Sequence, residues 1–448
     1  MKTKCLSVII LATLFVLATT MCSKPDKAID TRLDPVIAET VSKVCEDSLV
    51  SYIDKLVSFH TRHSMSSQTD PERGLGAAVN WLKTRCESYA DRAEGIRPRP
   101  TVETIYYTTS SNMDREVTVP DILVTIPGTA GESEILVMAH IDTRVNNLAD
   151  STTFAPGAND DGSGISCLLE IVRLLSEVPL KQTVKCLFVT CEEQSLGGSA
   201  FMAAKAREEN WPLIAVINND MIGNAEASGT HLVETDVVRI FSESRSGVDS
   251  NERQLARYVK EIGERYVPGH TVKLMYRADR YRRGGDHSSF VNQGFTAVRM
   301  TEYYENYDRT HQVVREEDGI AYGDMPSGVC IPYLAKNIKV NLASIMNLAD
   351  APMAPAHAEI ANANELSNYT ILKWEQAKDS DGNIDQNASY EILYRETDQP
   401  EWKILDSCKA DSQNENLSTE IPLSKDNYFF AVRSISVKGN ASLPAFCR

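Results

Sequence analysis

His140 closes the apolar run 135–139, and Asp142 stands two residues further on. On an extended segment the two side chains face the same side, and a carboxylate there can hold or orient an imidazole. Four other stretches place the same kinds of side chain at comparable points: Asp160 and Asp161 in the glycine-rich run 157–164, Glu192 and Glu193 after 186–191, Asp220 after 214–219, and His287 behind Gly284 and Gly285. Two imidazoles and several carboxylates are zinc donors, and they are numerous enough for two ions. Adjacent carboxylates such as Glu192 and Glu193 repel unless cations or a shared proton compensate. One of such a pair can bind metal while its neighbour takes the proton of an attacking water. Each stretch also has a plain structural alternative: a capped helix start at 157–164, a solvated turn at the glutamates, a cap or turn at Asp220, and a hydrogen-bonded surface histidine at His287. Five such coincidences in this order are hard to sustain together.

The elements that must position these residues can be read from the pattern around them. In an open α/β sheet the crevice lies outside the carboxyl ends of the strands, so strand-end side chains converge from distant parts of the chain. Amphipathic stretches at 76–89, 165–175 and 251–265 alternate with the apolar runs, which predicts strands and helices of an α/β domain over 28–350. A Pro/Ala segment at 351–355 reads as a linker. Beyond about residue 364 come short alternating runs at 370–374, 389–394, 402–405 and 427–436, which predict an all-β sandwich over 360–448. Its early Trp374 and late Tyr428 resemble the core Trp and the Tyr-bearing strand of fibronectin type III domains. That module offers no ligand constellation; steering polymers, covering the mouth of a site or spacing the first domain from a membrane all remain open to it.

A chain of 448 residues exceeds what one core usually serves, which agrees with two domains, and 42% hydrophobic residues is ample for burial. A net charge of −16 without a long Lys/Arg run excludes a nucleic-acid binder that works by counterion release. Lys2 and Lys4 precede the apolar run 6–18, which predicts an export signal over 1–21. Cys22 follows at once and suits the lipidated cysteine of a bacterial lipoprotein, with ordinary cleavage as the alternative. The resulting expectation is an exported protein of a bacterial periplasm, outer membrane or cell surface, attached through a lipid on Cys22. None of the later cysteines forms a C-x-x-C pair, so a thiolate zinc site is not expected. Cys408 with Cys447, and Cys45 with Cys86, are candidate disulfides.

The motifs A-H-x-D, P-G-A-N-D-D-G-S-G, E-E-x-x-x-x-G-S, N-x-D-M-x-G and D-H-x-x-F follow one another in the chain. In order and wording they resemble the co-catalytic zinc aminopeptidase family, whose relatives include glutamate carboxypeptidases and glutaminyl cyclases. The resemblance spans roughly 50–347. It implies a mixed, largely parallel sheet flanked by helices, as in zinc exopeptidases, and peptide substrates. Carried over residue by residue, it implies two zinc ions bridged by Asp160, with His140 and Asp220 completing one and Glu193 and His287 the other. Glu192 would be the general base, and Asp142 would orient His140. His311 is read as a rim residue outside the metal set. The expected activity is an exported aminopeptidase. A carboxypeptidase or glutaminyl cyclase of the same fold, and a non-catalytic surface binding protein, are the alternatives.

Substrate choice is less legible. Arg277, Arg280, Arg282 and Arg283 precede His287 and could pair with a substrate carboxylate, or form a solvated basic loop. In the run 302–311, Tyr304 or Tyr307 could hydrogen-bond an oxyanion and Glu302 could meet an amine, against aromatic packing as the commoner use of tyrosine.

Overall fold

The computed structural model describes residues 33–93, 98–130, 133–243 and 249–448. The expected signal over 1–21 and Cys22 lie outside the described residues. Among the described residues no helix is long and apolar enough to cross a membrane.

Eight strands form one sheet: β1 (Thr101–Thr109), β2 (Val117–Ile126), β3 (Glu134–His140), β4 (Thr183–Val189), β5 (Leu213–Asn219), β6 (Val237–Phe241), β7 (Thr271–Met275) and β8 (Ala297–Glu302). Their order is β1-β2-β4-β3-β5-β8-β6-β7. The central block β4-β3-β5-β8 is parallel, and the sheet turns antiparallel at β2 on one side and at β6 on the other. Parallel strands are covered on both faces, which is why the central runs are almost continuously apolar. Alternation divides them: Ile135, Val137 and Ala139 enter the larger core, while Leu136 and Met138 enter the smaller one on the opposite face.

The helices are α1 (Pro35–Ser42), α2 (Glu46–Ser58), α3 (Gly74–Ala90), α4 (Gly162–Leu175), α5 (Gly197–Glu208), α6 (Asn251–Tyr266), α7 (His287–Asn292) and α8 (Ile331–Asp350). α5 and α7 supply Met202, Ala203 and Phe290 to the smaller core, and the other helices pack in the larger one. α4 starts where the Asp161 side chain accepts from the Gly164 amide, and α6 where Ser250 accepts from Arg253. Each such cap is worth about 1 kcal/mol. A small hairpin, β9 (Arg315–Glu317) and β10 (Ile320–Tyr322), separates β8 from α8.

The remaining strands are β11 (Ala356–Ile360), β12 (Thr370–Glu375), β13 (Ser389–Glu396), β14 (Lys403–Lys409), β15 (Asn416–Ile421), β16 (Tyr428–Ile435) and β17 (Ala445–Phe446). They make two antiparallel sheets, β11-β12-β15 and β14-β13-β16-β17, around Trp374, Tyr390, Ile392, Phe430 and Val432.

This module is bolted to α6 and α8. The Tyr258 hydroxyl donates to Asn347 Oδ1 at 2.7 Å, and the Ala441 amide donates to the same oxygen at 3.0 Å. Arg433 pairs with Glu261 at 2.7 Å and Glu391 at 2.8 Å, and Asp249 pairs with Arg257 at 2.7 Å and Arg395 at 2.5 Å. The expected linker is part of this seam, because Ala351 and Pro352 are buried. A cavity of about 360 Å³ at the seam is lined by Ser133, Gln182, Leu213 and Thr296, at the amino ends of β3, β4, β5 and β8, together with Leu443 and Pro444. The module therefore sits at the end of the sheet opposite the strand-end residues, and it does not cover them.

All eight described cysteines are free thiols. Cys86 lies on α3 with its side chain in the main core, whereas Cys45 caps the start of α2 with its amide on Glu170, and the expected Cys45–Cys86 bridge is not formed. Cys408 and Cys447 lie on β14 and just beyond β17, with β13 and β16 between them, and they too are unpaired.

Candidate metal centre

The carboxyl ends of β4 and β5 bring Glu192, Glu193 and Asp220 to one cleft, the loop before α4 adds Asp160, and His140 at the end of β3 is buried against Asp160 and Asp220. Sequence neighbours divide their tasks here. Asp161 turns into the protein, where its carboxylate accepts from the amides of Gly164 at 2.9 Å, Met221 at 3.2 Å and His140 at 3.2 Å. It thus joins the start of α4 to the ends of β3 and β5. Asp160 turns the other way, with Oδ1 3.1 Å from His140 Nε2 and Oδ2 2.9 Å from His311 Nε2. Its own amide, and that of Asn159, donate to the buried Asp324. The preceding turn needs Gly157, whose φ is +53° and whose missing Cβ would fall 2.6 Å from the Asp160 carbonyl oxygen.

Glu192 and Glu193 divide in the same way. Glu193 is gripped by His311 at 2.8 Å and by Arg144 at 2.7 Å. Burial opposes its charge, but His311 and Arg144 outweigh that and hold the carboxyl below its ordinary range. Glu192 lines the same cleft without those partners. Burial, followed by repulsion from Glu193, Asp220 and Asp286 against attraction to His140, pushes its carboxyl well above the ordinary range. Asp142 sets both in place: its carboxylate accepts from the amides of Glu192 and Glu193, each at 3.1 Å. Its main-chain oxygen, rather than its carboxylate, is the nearest partner of His140 Nδ1, at 3.1 Å against 3.7 Å. That contact directs His140 Nε2 toward Asp160 and Asp220.

Two groups of donors result. His140, Asp160 and Asp220 form one and Asp160, Glu193 and His311 the other, with the ligating atoms of each group within 4.8 Å of one another. Asp160 belongs to both. Imidazole nitrogens and carboxylate oxygens at such spacing fit two zinc-like ions sharing a carboxylate. Asp220 is held by Arg299, a fully buried guanidinium on β8, at 2.9 Å.

The structure corrects the reading of His287. It is the first residue of α7, and its Nε2 lies 2.8 Å from the main-chain oxygen of Ala278, so it braces the arginine loop instead of facing Asp160 and Glu193. His311 takes the place expected for it. It sits on an irregular loop with φ +59°, after a turn in which the amides of Arg309 and Thr310 both donate to the Asn306 oxygen. Glu302 is likewise not at the rim: it is fully buried, with its carboxylate on Asn159 Nδ2 at 2.9 Å and the Asn224 amide at 3.0 Å. Tyr304 packs against Tyr303, and Tyr307 is exposed.

Arg62, Arg299 and Asp324 escaped the sequence reading. Arg62 is fully buried behind the cleft and donates to the main-chain oxygens of Ile141, Pro156 and Gly157. Burial pushes its guanidinium down to about 10 against the pull of Asp324, Asp161, Asp142 and Asp160. An isolated Arg before a His carries no local signal of that role.

Comparison with known proteins bears on the family. The model of peptidase family M28 matches residues 121–325, the segment that holds the cleft apart from its preceding arginine Arg62. A protein of Leptosphaeria maculans described as "Probable zinc metalloprotease" is 34% identical over 91% of this chain and 95% of its own length. The chain belongs to peptidase family M28. A similarly described protein of Pyricularia oryzae is 35% identical over 87% of this chain and 80% of its own. Among solved structures, LapA of Legionella pneumophila superposes with a TM-score of 0.54 at 21% identity, covering 70% of this chain and 76% of that one. At that identity the likeness establishes the M28 peptidase fold and not the reaction. The full-length relatives are fungal, which overturns the expected bacterial periplasm or cell surface.

Proposed function

We propose that this M28 member is a zinc-dependent exopeptidase, an aminopeptidase that removes N-terminal residues from peptides. The observation that carries the reading is the pair of donor groups hinged on Asp160, with Glu192 beside them in one cleft. In this reading His140 and Asp220 complete one zinc site, Glu193 and His311 the other. Two zinc ions in these positions would acidify water and polarise the scissile carbonyl. The chain's own residues supply the rest. Glu192 accepts the proton of the attacking water and returns it to the leaving amine, a role suited by its place in the cleft beside both donor groups. Asp142 positions Glu192 and Glu193 through their amides and holds His140 through its carbonyl, so one residue aligns the base with both donor groups. Arg299 fixes Asp220 and stays out of the reaction.

The cleft is an open one of about 220 Å³, room for one or two residues of an extended peptide. Mass spectrometry of the products from a defined hexapeptide tests the assignment. Stepwise shortening from the N-terminus is expected. Shortening from the C-terminus would make the enzyme a carboxypeptidase, and loss of ammonia from an N-terminal glutamine without chain cleavage would make it a cyclase.

A further inference from the structure

The four arginines before His287 do not act alike. Arg277 and Arg282 flank the exposed ring of Tyr281, at 5.6 and 5.2 Å, and belong to the surface. Arg280 and Arg283 turn inward and line the cleft that holds Asp160, Glu192 and His311. Both meet Glu305, Arg280 at 3.3 Å and Arg283 in a close contact, and Arg239 reaches the same carboxylate at 3.1 Å. One carboxylate cannot neutralise three guanidiniums. Arg280 has a second anion in Asp279 at 3.0 Å, but Asp279 is shared with Arg299 at 3.2 Å, and Arg299 in turn holds Asp220. Four guanidiniums thus face three carboxylates, Glu305, Asp279 and Asp220.

The surplus charge falls on Arg283. Among the described residues the partner of its side chain is Glu305, met by Nη1, and the side chain is 34% exposed where it borders the cleft. A guanidinium held by one nitrogen keeps its remaining fork available for a carboxylate. We infer that Arg283 is a specificity-determining residue which holds a carboxylate of the substrate, so that the enzyme prefers peptides carrying a negative charge within one or two residues of the scissile bond. This rests on the exopeptidase reading above. With two divalent cations offsetting the carboxylates of the metal groups, Arg283 adds to the cleft a positive charge whose carboxylate partner, Glu305, it shares with Arg280 and Arg239. The carboxylate can be an acidic side chain or the free C-terminus of a very short peptide.

The test compares kcat/KM for Leu-Ala-amide, Leu-Glu-amide and free Leu-Ala with the zinc-loaded enzyme. At least one carboxylate-bearing substrate is expected to exceed the neutral amide by about tenfold, mainly through KM, as one charge-assisted contact would provide. Preference for Leu-Glu-amide assigns the contact to a side chain, and preference for free Leu-Ala assigns it to the C-terminus. In R283A the ratio of charged to neutral substrate, read within the variant, is expected to fall to about one. Equal kcat/KM for all three substrates in the wild type, or an unchanged ratio in R283A, would overturn the inference while leaving the exopeptidase reading intact. Absence of hydrolysis of every substrate would instead overturn that reading.

Discussion

Buried charges are arranged differently at the two ends of the central sheet. At the seam with the C-terminal module, Asp249 lies between Arg257 and Arg395, and Arg433 between Glu261 and Glu391. Each charge there has opposite charges in contact. In the cleft at the other end, Asp160, Glu192, Glu193 and Asp220 face Arg144, Arg299 and the imidazoles of His140 and His311, whose hold on a proton these carboxylates raise against burial. The seam is balanced by guanidiniums that are always charged, whereas the cleft relies on exchangeable cations, protons on its imidazoles or metal ions in their place. Removing a carboxylate should therefore have opposite consequences at the two ends.

The largest effect is expected in the cleft, on rate. E192Q should lower kcat by about three orders of magnitude, as loss of a general base does, with zinc content unchanged. Its chemical denaturation midpoint should stay level or rise, because a repelled carboxylate has been neutralised. Wild-type hydrolysis in E192Q would refute Glu192 as the base, and a marked loss of stability would refute the charge imbalance. At the seam, D249N makes the equivalent substitution where the charge is matched. It leaves Arg257 and Arg395 buried against one another and should destabilise by about 3 kcal/mol, measured by urea denaturation. Its kcat on a dipeptide should be that of the wild type, since the seam lies at the far end of the sheet. A neutral effect on stability would show that the seam is no better balanced than the cleft.

The same contrast explains what could be read from the sequence. His140, Asp220, Glu192 and Glu193 follow apolar runs whose length and polarity mark strands, and Asp160 precedes a capped, amphipathic helix. Their placement is a local property of the chain. The alternation of runs also announced an α/β domain and a C-terminal all-β part, while the largely parallel sheet was implied by the resemblance to zinc exopeptidases. His311 had no such signal: its loop lacks periodicity, and its position depends on a turn at Asn306 and on contacts with Asp160 and Glu193, residues 151 and 118 positions earlier. His287 follows two glycines and begins a helix, a pattern that looks like a site and here serves to brace Ala278. The seam was illegible for the same reason. Asp249 meets Arg395 across 146 residues, and neither neighbourhood hints at the other. The flanking strand order is also set by long-range pairing, as where β6 lies antiparallel to β8.

In the proposed function Asp160 joins two zinc sites, and His311, not His287, completes the one that holds Glu193. Zinc bound per folded chain, measured by elemental analysis after dialysis against a weak chelator, tests it directly. About two zinc ions are expected for the wild type and for H287A, and about one for H311A. Two ions in H311A with one in H287A, or a single ion in the wild type, would contradict it.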